Sequence, residues 1–377
     1  MLTAIYLIII ILLLVIVHEL GHFWAARKTK VMVEEFGFGL PPRACSIKSK
    51  KTNTIYSLNW LPIGGFVRLK GELGGEVRNG PTENSADPDS FSSKNIWQRA
   101  IIISGGILMN FVLAIVLFSI GYIIGLPQEI NSDNMASSKL ESKFAKIEDA
   151  KIHISAVLPN TPATKAQLQA KDIIIDIDGE KFSTINNLRN YLSSRKGKEV
   201  LVQIKRGDAK IFKQIAPQQI PESSVVGLGV GLYHTGTVSY PIYITPVAGF
   251  LRTYDISKEM IIALYDLVKN LITGAKVNTA DIAGPVGIVS LISDISKLGF
   301  VYILQFTALL SINLAIINFI PFPALDGGRF LFLAIEGVRG KKVNEKTEAM
   351  FHNVGFALLM ILILVVTYND IVRLMSN

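Results

Sequence analysis

Four stretches of the chain are apolar for long enough to cross a bilayer, and polar runs separate them. They cover about residues 1–26, 100–126, 299–325 and 351–372. A hydrocarbon layer roughly 30 Å thick needs about 20 apolar residues of helix, so each stretch reads as a membrane span. The second has no charged residue; the third holds Gln305, Asn313 and Asn318 and is broken by Pro321 and Pro323. The fourth is short at about Val354–Tyr368 unless its flanks from Phe351 and to Val372 join it. Between the first two, Ile55–Leu69 (IYSLNWLPIGGFVRL) is Gly-rich and β-prone, and Pro62–Gly65 reads as the turn of a hairpin. Residues 72–95 are polar and read as an exposed loop.

From Ile152 the pattern changes period: strand (HISAVL), turn, short helix (ATKAQL), strand (DIIIDIDG), helix (TINNLRNYLSSR), strand (EVLVQIKRG). That alternation predicts an α+β domain inserted between spans two and three. Residues 246–274 follow as an amphipathic helix, with Lys258, Glu259, Asp266 and Lys269 opposite Met260, Ile261, Leu264 and Leu271. Such a helix lies on a membrane surface. Gly284–Ile288 (GPVGI) reads as a turn before span three. The expected organisation is a first membrane half at 1–126, a soluble insert at 127–235, a juxtamembrane region at 236–298 and a second membrane half at 299–377.

Composition agrees with this class, since half of the 377 residues are hydrophobic and mean hydropathy is +0.40. The net charge of +8 has a membrane explanation. Residues 27–99 carry 12 Lys/Arg against 7 Asp/Glu. The positive-inside rule therefore puts that loop in the cytoplasm and the insert outside it. No nucleic-acid-binding module accompanies the basic residues. Cys45 is alone, which excludes an intramolecular disulfide and a thiolate zinc site.

The chemistry lies where spans meet ionisable residues. The first apolar run leads into His18-Glu19-Leu20-Gly21-His22. On a helix His18 and His22 share one face, one turn apart. That pair suits one Zn²⁺, with Glu19 beside it to take a proton from the attacking water. Ionisable groups inside a span are costly, about 2.5–3.5 kcal/mol for a mid-membrane Asp, Lys or Arg. Interfacial histidines and a cleaved leader are the plain alternatives; the long run without a basic start reads as an anchor. A catalytic zinc usually has three protein ligands plus water. Asp326, in Asn318–Gly328 (NFIPFPALDGG) where two prolines end span three, is the candidate third ligand. Asn318 is a candidate for holding substrate backbone, with a helix–helix hydrogen bond as its alternative. Asn110, behind Ser104-Gly105-Gly106, packs span two on span one and is a candidate to orient a zinc ligand. His352 reads as an interfacial residue, and His153 and His234 as ordinary histidines of the insert.

HELGH at 18–22, GG-x-x-x-N at 105–110, GPVGI at 284–288 and N-x-x-P-x-P-x-LDGG at 318–328 together resemble the site-2 protease family. The likeness is to its bacterial regulator-of-sigma-E type, and the insert resembles a PDZ domain. The fold so implied is a mainly α-helical integral membrane protein. It has about four transmembrane helices, a membrane-associated β-hairpin region and one inserted α+β PDZ domain. By that resemblance His18, His22 and Asp326 would bind Zn²⁺, Glu19 would be catalytic and Asn318 would hold substrate. Gly64, Gly65 and Phe66 of the hairpin would present a strand edge. The implied activity is cleavage of single-pass transmembrane substrates in a bacterial inner membrane, with an anti-sigma factor as the expected target after a first cut. The PDZ domain would gate entry or bind a peptide C-terminus. One departure stands out: the best-studied enterobacterial members carry two tandem PDZ domains, and this chain has room for one. The competing classes are a metal transporter, which needs more charged residues along a path, and a PDZ scaffold, which needs neither Glu19 nor Asp326.

Overall fold

The computed structural model describes residues 2–72, 87–130, 140, 143–182, 184–207, 209–220, 225–274, 284–341 and 343–376. Most of the polar loop expected at 72–95 lies outside them. The chain divides into two compact units, Met1–Ser119 with Gly249–Asn377, and Ile120–Ala248. Four helices, lying wholly or mostly in the first unit, are long and apolar enough to cross a membrane, over Thr3–Lys28, Ile96–Ile124, Phe300–Phe319 and Lys346–Val372. They belong to α1 (Leu2–Lys28), α2 (Ile96–Ile124), α7 (Phe300–Phe319) and α9 (Glu345–Ser376). Val354, Phe356, Leu358, Ile361, Leu362 and Leu364 of α9 all face outward. A helix apolar on its outer face suits lipid and not water.

What brings α1 against α2 is the absence of side chains. A Cβ built on Gly21 would overlap the carbonyl of Gly105, and one on Gly105 would overlap that of Gly21. Two glycines thus let backbones touch, the usual device where lipid leaves no hydrophobic drive between helices. Ser311 Oγ of α7 donates to the Asn110 carbonyl at 2.7 Å and joins a third helix to the pair.

Strands β1 (Val33–Lys48) and β2 (Ile55–Leu69) pack against α1, where Phe23, Ala26, Val31, Val33, Leu69 and Ile102 form a buried cluster. The two strands pair antiparallel, but each bends back on itself, so the register has three parts. Residues 33–38 pair with 65–69; the same residues pair, with numbering rising together, with 55–58; and 55–59 pair with 43–48. Pro62–Gly65 therefore does reverse the chain, yet it is not a tight hairpin turn. The segments it joins do not pair with each other, because 33–38 lies between them. Gly64 at φ +86° supplies the bend that a residue with a Cβ resists. Residues 65–69 are left with one edge free of any strand among the described residues.

The remaining α-helices among the described residues of this unit are α5 (Thr245–Thr273), which starts just before it, α6 (Pro285–Leu298) and α8 (Asp326–Arg339). Gly284–Ile288 is not the expected turn, because Gly284 caps α6 and Pro285 begins it. Proline suits the first helical position, where its missing N–H is not needed. The exposed donors find Asp370 of α9, whose carboxylate accepts from Gly284 N at 3.2 Å and Gly287 N at 2.8 Å.

The second unit is a six-stranded antiparallel sheet, order β3-β10-β4-β5-β6-β7. Its strands are β3 (Leu126–Ile130), β4 (Lys146–Val157), β5 (Ile173–Ile177), β6 (Val200–Arg206), β7 (Ala209–Ile215) and β10 (Val230–Ser239). A separate two-stranded ribbon is formed by β8 (Gln218–Gln219) and β9 (Val226–Gly227). Helices α3 (Pro162–Lys165) and α4 (Ile185–Ser194) cover a core of Ile154, Ala163, Ile177, Leu188, Val202, Ile204 and Leu228. Asp172, almost wholly buried, is neutralised by a two-pronged bond from Arg206 at 2.7 and 2.8 Å. His153 stacks on Tyr233 with ring centroids 4.9 Å apart, and burial lowers its pKa, as expected for a structural histidine.

Replacing Gly21 by Leu forces α1 from α2 and is expected to lower the unfolding midpoint in detergent, with overpacking costing at least about 1–3 kcal/mol. Gly227→Ala, where an added Cβ meets nothing within 4 Å, is the control that leaves it unchanged.

Candidate metal centre

The HELGH segment is helical throughout, so His18 and His22 project from one face of α1 with ring centroids 4.8 Å apart. Their Nε2 atoms are 3.2 Å from each other. Asp326, the first residue of α8, places Oδ2 at 3.2 Å from each of those nitrogens. Three donor atoms thus form a triangle with equal edges. That edge matches a tetrahedron with bonds of about 2.0 Å, whose corners lie about 3.3 Å apart. Protons alone fit poorly, because bridging the carboxylate to both rings sets two N–H groups against each other. Asp326 Oδ2 is buried and has no hydrogen-bond donor. One shared cation meets all three atoms, and two nitrogens with one carboxylate oxygen are a zinc donor set.

Behind the triangle each ring is held. His22 Nδ1 lies 2.9 Å from the Ile102 carbonyl. A carbonyl only accepts, so Nδ1 carries the proton and Nε2 keeps its lone pair. Asn110, fully buried on α2, sits 3.2 Å from His18 Nδ1, and its other amide atom, Oδ1, is buried without a partner. An amide presents either end. With oxygen toward the ring, His18 takes the same tautomer as His22.

A cavity of about 540 Å³ opens on this triangle. Glu19, Gly65, Phe66 and Asn318 line it, and Asn318 is buried. Gly64 is not among its lining residues. A Cβ on Gly65 would come within 3.1 Å of Glu19 Cγ, so the strand runs directly beside that carboxylate. Four ionisable lining residues are not read from the sequence as part of the site: Glu72, Arg329, Glu348 and His352. Arg329 follows Asp326 by three positions on α8, a spacing that puts both on one face and was open to inspection. Its guanidinium pairs with Glu72, which no spacing signals.

His352 does more than begin the fourth span. Its Nδ1 accepts the Ala324 N–H at 3.0 Å. Ala324 sits at φ +71°, in the left-handed region that costs an L-residue roughly 1–2 kcal/mol, in the turn that delivers Asp326. Pro323 of that turn packs on Gly355, where a Cβ has no room. Helix α9 therefore clamps the segment between α7 and α8.

Set against known proteins, residues 6–362 match the model of peptidase family M50, and the chain belongs to that family. It is a zinc metalloprotease and a multi-pass membrane protein. Its relatives include a zinc metalloprotease of Clostridium perfringens designated putative, 33% identical over 95% of both chains. The regulator of sigma-W protease RasP of Bacillus subtilis is 31% identical over 99% of both. The regulator of sigma-E protease RseP of Escherichia coli is 27% identical over 96% of both. Among solved structures, the PDZ domain of an SdrC-like protein from Listeria monocytogenes is 29% identical, over 22% of this chain and 85% of that one, with a TM-score of 0.20.

Replacing His352 by Leu leaves the Ala324 N–H without its acceptor and is expected to cost about 0.5–1.5 kcal/mol, the net value of one hydrogen bond. His352→Asn, whose Oδ1 reaches a similar point, should recover most of it; thermal unfolding of both variants in detergent measures the difference.

Proposed function

We propose that the chain is an intramembrane endopeptidase that cuts single-pass transmembrane proteins at the His18–His22–Asp326 centre. The observation that carries this is the 3.2 Å triangle of three donors on a cavity lined by Glu19 and a strand with a free edge. His18, His22 and Asp326 would hold the zinc, which when bound would supply a Lewis acid for the scissile carbonyl and for the attacking water. Glu19 accepts a proton from that water and returns it to the leaving amine. Asn110 and the Ile102 carbonyl hold the imidazoles in the tautomer that leaves Nε2 free.

A transmembrane helix hides its peptide groups, so the segment to be cut must unwind. Each freed backbone group costs several kcal/mol in lipid unless it is paired. Residues Gly64–Phe66 and the strand running to Leu69 provide that pairing as an added strand, and Asn318 holds a further peptide group. The unit Ile120–Ala248, with its sheet and covering helices, acts as a PDZ-type module that binds a peptide end or limits what may enter. By analogy with the relatives named for sigma-factor regulation, the substrate is an anti-sigma factor shortened by a first protease. The excess of basic residues in 27–99 favours placement in the bacterial cytoplasmic membrane with that unit outside the cytoplasm.

Glu19→Gln is expected to keep zinc and lose cleavage of a reporter helix by at least about 100-fold, the scale of general-base catalysis. Unchanged cleavage removes Glu19 from this role. Asp326→Asn should lower zinc content measured by metal analysis, and equal occupancy would take it out of the ligand set.

A further inference from the structure

Hydrolysis breaks the C–N bond, joins the water oxygen to the acyl carbon and leaves two new ends. One becomes a carboxylate and the other takes up a proton as an ammonium. Both charges arise inside a cavity, where an unpaired charge is strongly disfavoured. The described residues lining that cavity include several carboxylates but one side chain of permanent positive charge, Arg329.

Arg329 is placed for an anion. It lies one turn beyond Asp326 on α8, so it shares the face that carries the metal-centre carboxylate. Its guanidinium has five N–H donors. One of them, on Nη1, donates to Glu72 Oε1, and no other hydrogen bond joins Arg329 to a described residue. The side chain is 44% exposed while Glu72 is 17% exposed, so it is the arginine that presents open surface. A second cavity, of about 230 Å³, shares Glu72, Ile103, Arg329 and Glu348 with the first. Its own arginine, Arg99, is committed to Glu336 through bonds of 2.9 and 2.5 Å. The Glu72–Arg329 pair therefore stands at the seam of two cavities, with donors to spare on the cationic side.

We propose that Arg329 is the binding site for the product carboxylate, with Glu72 competing for the same guanidinium until cleavage supplies the new anion. The planar fork of an arginine suits a carboxylate in two-pronged fashion. Glu72 sits beside the end of the strand that lines the active cavity, where its Oε2 accepts from Leu69 N at 3.4 Å. Release of Glu72 by the incoming carboxylate thus reaches the strand that held the substrate.

The inference rests on the proteolytic reading above, but its test uses binding and no chemistry. Two labelled peptides, identical except for a free carboxylate or a carboxamide at the C-terminus, are titrated by fluorescence anisotropy into the full-length zinc-loaded protein in detergent. Zinc content is measured alongside, so that the metal's own pull on a carboxylate is common to all samples. The native protein should favour the carboxylate peptide. Arg329→Gln should cut that preference about tenfold, the value of one lost charge-assisted hydrogen bond. Glu72→Gln, which frees the guanidinium, should widen it. A misfolded variant would lose both peptides together, and the opposite signs of the two variants separate that outcome from the proposal. A preference unchanged in Arg329→Gln, or narrowed in Glu72→Gln, overturns it. Cleavage retained in Glu19→Gln would count against the catalytic assignment and leave this result standing.

Discussion

A carboxylate oxygen lies buried between two imidazole nitrogens with no other partner among the described residues, and the packing of the membrane unit keeps it there. Asp326 Oδ2 meets the two Nε2 atoms at 3.2 Å each. Left alone, such a group is among the costliest things a protein can bury. A divalent cation reverses the sign of the problem, since two neutral rings and one carboxylate leave it partly unneutralised and open to a further ligand. The donors must then hold their mutual distances to within a few tenths of an ångström, because metal–ligand bonds tolerate little more.

Two devices supply that precision from opposite sides. On one, glycines at 21 and 105 bring two helix backbones into contact, which fixes the histidine face against Asn110 and the Ile102 carbonyl. On the other, Asp326 stands at the end of a non-helical turn, and such a turn is tolerable at membrane depth only where protein encloses it. Helix α9 holds that turn from one side through His352 and Gly355. The fourth span, the least buried of the four, thus takes part in the centre through its first turns.

Much of this was open to reading along the chain. His18 and His22 are legible because helical spacing alone puts them on one face, and Asp326 because a carboxylate after two prolines ends an apolar run. The five elements read between 153 and 207 form as β4, α3, β5, α4 and β6, since each has a clear period. What could not be read depends on pairing across long separations. The segment 33–38 runs between two halves of β2, an arrangement set by register and not by composition. Gly284 and Pro285 look like a turn until Asp370, 86 residues away, accepts the helix donors. The bond from Ala324 to His352 is illegible because nothing local shows that Ala324 needs an acceptor. The strand content of β1 and β2 also makes this unit less purely helical than its hydropathy suggests.

The free edge at residues 65–69 has a consequence for selectivity under the proposed reading. An added strand is held by main-chain hydrogen bonds, and main-chain groups are the same in nearly every residue. Gly65 contributes no side chain where the strand passes Glu19, so the strand there can discriminate by shape only weakly. A site built this way recognises unwound backbone in preference to sequence. The discriminating step is then the unwinding itself, which is easiest where helix-breaking residues weaken the substrate's own hydrogen bonds. Selection among proteins that meet that condition has to come from groups away from the centre. The separately folded unit at Ile120–Ala248, with its own core and no share in the donor triangle, is the part of the chain free to provide it.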